Sequence, residues 1–462
     1  MSRLAMAHDL GTGPVPRLVR AIALPAAVGY FFHTFFNIVD TFWAGRISTQ
    51  AVAALSLSFP AFFVILSVGN GLSTGATALL ATALGAGRHA DARRLAAQSL
   101  GLALAASLAV TVAGLAASPW MFARMGASGP YLDDCLAYMN PVFLGSVFFV
   151  LIAMLNGLLC ARGETRPFRN FLVAGSLANV GLDPWFMSGG LGLPAMGLAG
   201  IAWATVLVQV AGTAYLARRV AASGLVGADL LRLARPRTAD WATIAAQGVP
   251  AGLNMATIGL GIGIITIFLA DFGQVPVAAY VIASRIEQVV LLPTMALNVA
   301  TLALTAHNHG AGQPGRVRLA IRACLADGAW LMAAGGLLIL ALAPRLMALF
   351  TADPAVVNAG AGYLRIAAFV LYAYVILSTV VALMQGLKRP MFAVWMGLGR
   401  QIVAPLAVFW LLTEVFHGSV TALWWGIAGV VWSAALLALW VGRRALRELT
   451  REARAAPAGP KD

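Results

Sequence analysis

From Leu18 to Gly442 the chain is a succession of apolar windows, most of them twenty residues or longer, separated by short clusters of arginine, glycine and proline. A window of that length with almost no charge has one stable use, an α-helix across a bilayer, because hydrocarbon offers no partner to an unbonded backbone group. Lys, Arg, Asp and Glu together make up only 10% of the 462 residues, against roughly 25% in soluble domains. The 48 glycines and 21 prolines suit membrane helices, where both are common. The windows predict helices at 18–44, 52–83, 93–117, 131–160, 167–188 and 195–219, then at 240–271, 276–306, 318–343, 357–386, 390–414 and 421–442. The expected fold is all-α and polytopic, with twelve transmembrane helices: a tail over 1–17, an N-lobe over 18–219, a linker over 220–239, a C-lobe over 240–442 and a second tail over 443–462.

A net charge of +14 would fit a nucleic-acid partner only if Lys and Arg clustered on one soluble domain, and the sequence contains no such domain. Topology accounts for the charge instead. Loops on the N-terminal side carry 25 Lys and Arg, among them Arg88, Arg93, Arg94, Arg162, Arg166 and Arg169, whereas the opposite side has only Arg46, Arg124 and Arg345. Basic loops stay in the cytoplasm, so the expectation is an inner (plasma) membrane protein with both termini cytoplasmic. Cys135, Cys160 and Cys324 have neither metal-ligand spacing nor the even number of a disulfide set and read as small core residues. The first twenty residues lack an apolar run long enough for a cleavable signal, so the N-terminus is expected to be kept.

The chain resembles itself at a shift near 225. Gly85-Ala86-Gly87 recurs as Gly310-Ala311-Gly312, Arg93 as Arg318, Pro25 as Pro250, Tyr138 as Tyr363, and GLAGIAWA at 197–204 as GIAGVVWS at 426–433. Each repeat holds six spans, so the halves are pseudo-symmetric parallel bundles related by an axis along the membrane normal, an arrangement used by transporters that rock two bundles about a site.

An acid in hydrocarbon costs several kcal/mol, which singles out Asp40 and Asp183. Asp40 lies ~33 Å and Asp183 ~24 Å along their helices from the N-terminal side at ~1.5 Å per residue. Both fall toward the exterior within one repeat. Asn179 is one turn before Asp183 on the same face, while His33, Asn37 and Asp40 form a polar stripe that marks His33 and Asn37 as candidate substrate-cavity residues. Two carboxyls among amides in a low dielectric hold either a proton or a cation. A structural role remains open, since Pro184 follows Asp183 at a position where helices bend. Arg285 and Glu287 form a candidate C-lobe charged pair, although two residues apart they face different ways, and separate structural pairings remain open. Asp327 and Arg400 read as structural, and Trp424, Trp425, Trp432 and Trp440 as interfacial anchors or helix packing.

No GxxxxGK[ST] run is present, so ATP does not drive the chain through a P-loop. Gly71-Leu72-Ser73-Thr74-Gly75 fits G-x-S-x-G, but that hydrolase pattern needs a strand-to-helix turn and here lies within an apolar helix. Neither Asp40 nor Asp183 has the YD or GxGD flank of an intramembrane aspartyl protease. The chain is therefore expected not to be an enzyme and to need no cofactor.

NIVDTFWAGR at 37–46, GAGR at 85–88, NGLLCARGETRPF at 156–168, ANVGLDP at 178–184, GLAGIAWATV at 197–206 and AAYVIASRIE at 278–287 jointly resemble the multidrug and toxic compound extrusion (MATE) transporters over residues 15–445. The likeness is closer to the DinF-like than to the NorM-like branch, because the C-lobe positions where the latter has acids hold Ile258 and Tyr374. The resemblance implies two six-helix lobes around a cleft and export of amphipathic, often cationic organic compounds in exchange for H⁺ or Na⁺. Carried over by position, the ion-coupling network would be Asp40, Tyr138, Asn156, Asn179, Asp183 and Thr205, with Na⁺ a candidate ligand of Asp40, Asn179, Asp183 and Thr205, and Pro25 a hinge. Rise arithmetic strains one assignment, placing Asn156 only ~10 Å from the cytoplasmic end. The expected partners are small cationic substrates and membrane lipid, with the chain acting as a monomer. The alternatives are a flippase for lipid-linked intermediates and a non-transporting receptor.

Overall fold

A computed structural model describes residues 10–190, 192–227 and 230–455. Residues 1–9 and 456–462 of the two expected tails, and Ala228 and Asp229 of the expected linker, lie outside the described residues. Helices take up most of the chain, and the sole β pairing among the described residues is an isolated bridge between Gly190 and Leu193. In chain order they are α1 Val15–Ile47, α2 Thr49–Gly85, α3 His89–Arg124, α4 in two segments, Pro130–Leu144 and Ser146–Cys160, α5 Arg166–Ser188 and α6 Gly197–Ala222. A single turn, Leu230–Leu233, precedes α7 Thr238–Ala270, α8 Gln274–Gly310, α9 Pro314–Ala348, α10 in two segments, Pro354–Ala368 and Leu371–Gly386, α11 Met391–Val415 and α12 Val420–Ala455.

Among the described residues nine helices are long and apolar enough to cross a bilayer, or eleven when each bent pair counts as one span. The twelfth expected helix is α5, whose polarity comes from the side chains that make it interesting: Arg166, Arg169, Asn170, Asn179 and Asp183. The all-α, twelve-helix expectation therefore holds. Most helices keep within a few residues of the expected boundaries, but α3 runs on to Arg124 and α12 to Ala455, so the expected second tail is helical over its first thirteen residues; two features were not legible: α4 bends by 47° around Gly145 and α10 by 52° around Phe369-Val370. Gly145 and Val370 are 225 residues apart, so the bends obey the repeat.

Local chemistry explains the ends. Ser48 accepts from the Ala51 N–H at 2.9 Å to start α2, and Asp353 accepts from Ala355 N–H at 2.8 Å ahead of Pro354 to start α10. The two Gly-Ala-Gly loops end on Gly87 at φ +70° and Gly312 at φ +65°, a left-handed conformation that glycine adopts without steric cost.

Contacts divide the described chain into two units, one spanning Val28–Gly252 and the other Leu10–Ala27 with Leu253 onward. Both cuts pass two residues beyond a helix proline, Pro25 in α1 and Pro250 in α7. The first unit packs around Phe122, Met139, Phe143, Met154 and Ile201; the second around Tyr280, Tyr363, Leu371, Phe409 and Trp424.

Helices in lipid gain little from apolar burial and associate through close packing and hydrogen bonds. In the first unit Gly71 and Gly75 of α2 face Gly248 and Gly252 of α7, two small-xxx-small pairs whose backbones touch: a Cβ on Gly75 would stand 2.6 Å from Gly248 N. The G-x-S-x-G run is thus a packing seam. Its Ser73 hydroxyl donates to Ala153 O at 2.7 Å and the Thr77 hydroxyl to Gly157 O at 3.0 Å, tying α2 to α4.

Candidate functional site

Three helices of the first unit bring the sequence candidates together. Asp40 lies in the last third of α1, Asn179 and Asp183 one turn apart on α5, and Thr205 on α6. All four are buried, Asn179 and Asp183 completely. The Asn179 Nδ2 group donates to Asp40 Oδ1 at 2.6 Å and to Asp183 Oδ2 at 2.8 Å, while the Thr205 hydroxyl lies 3.4 Å from Asp40 Oδ2. One amide therefore bridges two acids on different helices.

The pairing dictates what the cluster can do. The carboxyls lie within hydrogen-bonding reach of each other. Two carboxylates so close cannot both stay charged without something positive between them. No donor reaches Asn179 Oδ1 or Asp183 Oδ1, although both atoms are buried. Those oxygens, with the Asp40 carboxylate, suit a shared proton or a small hard cation that takes oxygen ligands. No group of three or more His, Cys, Asp or Glu side chains able to hold a metal occurs among the described residues, so a transition-metal centre has no support there.

Tyr138, buried on the first segment of α4, stands within electrostatic reach of both acids. Asn156 is placed differently: it is half-buried and its Oδ1 accepts from Cys160 Sγ at 3.4 Å, a contact within its own helix. The polar stripe on α1 also divides. His33 is half-buried, while Asn37 is exposed and turns its amide back onto His33 O at 2.8 Å. Pro25 is buried and α1 runs through it unbroken.

The candidate charged pair of the second half is corrected by the structure. Arg285 is exposed, Glu287 is buried, and among the described residues no ion pair joins them, because positions two apart project from different faces of α8. Glu287 Oε2 instead accepts from the Tyr363 hydroxyl at 2.8 Å, with Tyr374 also within hydrogen-bonding reach. Trp424 is buried against Tyr280 and Tyr363 and is no interfacial anchor, unlike the exposed Trp425 and Trp440. The repeat signal could have found this cluster, since Tyr363 is the counterpart of Tyr138. Asp327 pairs with Arg20 at 2.8 Å, a structural contact within the second unit.

The family model MatE matches twice, over residues 25–185 and 250–410, an offset of 225 residues that equals the internal repeat. The chain belongs to the MATE family. It is 25% identical over 425 residues to the multidrug export protein MepA of Staphylococcus aureus strain N315, covering 91% of this chain and 90% of that protein. It is 28% identical over 320 residues to an FAD transporter of Shewanella oneidensis, covering 68% of this chain and 70% of the relative. In fold it is similar to a MOP superfamily transporter from Pyrococcus furiosus, with a TM-score of 0.89 at 22% identity over 97% of this chain and 99% of that one. An outward-facing multidrug resistance MATE transporter gives a TM-score of 0.88 at 23% identity over 95% and 97%. This MATE chain is thus a multi-pass membrane protein from a family of transporters, not of enzymes.

Proposed function

We propose that the chain is a secondary active antiporter of the inner membrane that exports amphipathic, cationic organic compounds in exchange for H⁺ or Na⁺. The observation that carries this reading is the pair of buried acids, Asp40 and Asp183, bridged by the Asn179 amide. Loading of the pair by a proton or Na⁺ removes the repulsion between the carboxyls and changes what α1, α5 and α6 gain by packing together. An ion can bias two conformations only through unequal affinity for them, so ion and substrate oppose each other through this cluster. Pro25, beside the division of α1 between the two units, is the hinge in this reading. Both termini lie in the cytoplasm on the arginine distribution.

The test is efflux of ethidium from proteoliposomes while ΔpH and ΔNa⁺ are collapsed separately. Collapse of one gradient should stop efflux, and Asp40→Asn and Asp183→Asn should each reduce driven efflux to background without loss of folded protein. Unimpaired export by both variants would refute the coupling assignment. The Shewanella relative supports a second reading in which the cargo is a flavin dinucleotide. The buried acids favour a cation over a dianion of that kind, and FAD efflux in the same vesicles decides between them. Transport of a lipid-linked sugar would indicate a flippase, and binding indifferent to both gradients a receptor.

A further inference from the structure

Helix α12 runs well past the apolar part of its sequence. Leu436, Leu437 and Trp440 are exposed on it, and the helix continues unbroken to Ala455. At 3.6 residues per turn, Leu436, Trp440, Arg443, Arg447 and Arg451, spaced by four, three, four and four, fall on one face. Arg444 stands beside them, and all four arginines are exposed. The other face of the same stretch, with Ala438, Ala445, Leu446 and Leu449, packs into the core of the second unit. One exposed arc of the helix is thus apolar as far as Trp440 and basic beyond it.

Exposed tryptophan settles where hydrocarbon meets the headgroups, which sets the depth of the arc. Along the helix axis Arg443 stands ~4.5 Å, Arg447 ~10 Å and Arg451 ~16 Å beyond Trp440. A headgroup layer is roughly 5–7 Å thick, so Arg443 and Arg444 lie within it. Arg447 and Arg451 stand within about one Debye length of its surface, ~10 Å at 0.1 M salt. A continuation into water that served only solubility would mix charges of both signs. Here the acids lie off the arc: Glu448 is taken up by Arg389 and Arg444, each at 3.0 Å, and helical spacing turns Glu452 to the side opposite Arg443. Among the described residues no acid pairs with Arg443, Arg447 or Arg451. A second helix adds to the arc, since the Arg318 guanidinium of α9 reaches Thr450 Oγ1 at 3.4 Å, seven residues on from Arg443 and so at the edge of the same face.

We propose that the arginine arc of α12, with Arg318 at its edge, is a docking surface for anionic phospholipid in the leaflet where the helix ends. Charge complementarity and depth name the occupant: guanidiniums left unpaired by the protein stand at the level of the lipid phosphates. Guanidinium donates two parallel hydrogen bonds to a phosphate, and four or more basic residues just beyond a membrane helix collect acidic lipid. The arginine asymmetry of the loops bears only on orientation, whereas the arc is one place on the molecule where one class of lipid is held. It has this role whether or not the acids of the first unit couple transport.

The experiment reads the lipid beside the arc in nanodiscs holding the full-length chain. Trp440→Cys is labelled with bimane, while Cys135, Cys160 and Cys324 are buried and stay unlabelled. Quenching by phosphatidylglycerol brominated near its headgroup is compared with quenching by phosphatidylcholine brominated alike, in otherwise identical bilayers. Phosphatidylglycerol should be enriched about threefold or more at this position, and the enrichment should fall as NaCl is added. Arg443→Gln, Arg447→Gln and Arg451→Gln together should abolish it, and Arg447→Gln alone should lower it. As many arginines neutralised before α7, by Arg232→Gln, Arg235→Gln and Arg237→Gln, should leave it unchanged. No enrichment beside the intact arc, or enrichment that survives the three α12 changes, overturns the surface. Equal loss with the Arg232, Arg235 and Arg237 changes overturns it too, because net charge alone would then draw the lipid. Loss on adding soluble glycerol 3-phosphate, beyond the loss in NaCl of the same ionic strength, would assign the arc to a free phosphate and overturn lipid as its occupant. Should the triple α12 variant not fold, Arg447→Gln decides.

Discussion

Replacing Gly75 by alanine perturbs a close backbone contact between two helices of the first unit. The new Cβ would meet Gly248 N at 2.6 Å, Gly248 Cα at 2.9 Å and Ile244 O at 2.9 Å, all backbone atoms that cannot rotate away. Ordinary van der Waals contact begins at 3.4 Å, so α2 and α7 would have to part by about 0.8 Å. Overpacking of this kind costs about 1–3 kcal/mol, and separation would also loosen the neighbouring contact of Gly71 with Gly252. We expect about 2 kcal/mol of destabilisation for Gly75→Ala, and more for Gly75→Val. Gly263→Ala serves as the control, because a Cβ there meets nothing within 4 Å. The assay is the temperature at which half of the detergent-solubilised protein is lost from the monodisperse peak in size-exclusion chromatography. Gly75→Ala should shift it down clearly and Gly263→Ala should not. Equal stability of the two variants would refute the seam.

Gln98, fully buried on α3, donates to Leu233 O at 2.5 Å and Arg235 O at 2.7 Å and accepts from Arg237 N–H at 3.1 Å, so Gln98→Leu should release the segment before α7. Trypsin cleavage at Arg232, Arg235 or Arg237 should then accelerate at least tenfold, and an unchanged rate would contradict the clamp. Arg316 holds Leu10 O at 3.0 Å and Gly13 O at 2.8 Å ahead of α1. Arg316→Gln should speed maleimide labelling of a cysteine placed at Leu10, a position with no exposure in the native fold; equal labelling would show that other contacts hold the segment. Ser73→Ala should lose about 1 kcal/mol from its bond to Ala153 O and keep transport, whereas abolished transport in a folded variant would give Ser73 a role beyond packing.

The sequence carried the architecture because membrane burial writes a strong one-dimensional signal: apolar windows, arginine asymmetry and a repeat at 225. Asp40 and Asp183 stood out for the same reason, since an acid inside such a window is rare and expensive. Their bridging through Asn179 was partly legible, as spacing puts Asn179 and Asp183 on one face, but spacing within α5 says nothing about α1. What stayed hidden depends on contacts between distant helices or on backbone irregularity. The G-x-S-x-G run has the spacing of a packing seam, yet only its partner glycines at 248 and 252 reveal that use. The position of the Arg400 guanidinium 5.6 Å from the centre of the Tyr374 ring is one such contact, and nothing in the residues flanking Arg400 announces the π-helical turn it sits on. Glu287 is conspicuous as an acid in an apolar window, but the residue that holds it, Tyr363, lies 76 residues further along the chain, beyond what helical spacing can relate.

The central claim is that the Asp40–Asn179–Asp183 cluster holds one small positive charge that substrate binding expels. Its most direct test counts that charge. Ethidium is added to the purified chain in weakly buffered solution, proton release is followed with an electrode, and Na⁺ release is followed in parallel by dialysis of ²²Na⁺. The account predicts release of about one ion per bound cation, of H⁺ or of Na⁺, and none in the chain carrying both Asp40→Asn and Asp183→Asn. Ion release of the same size from that variant, or none from the native chain, would contradict it.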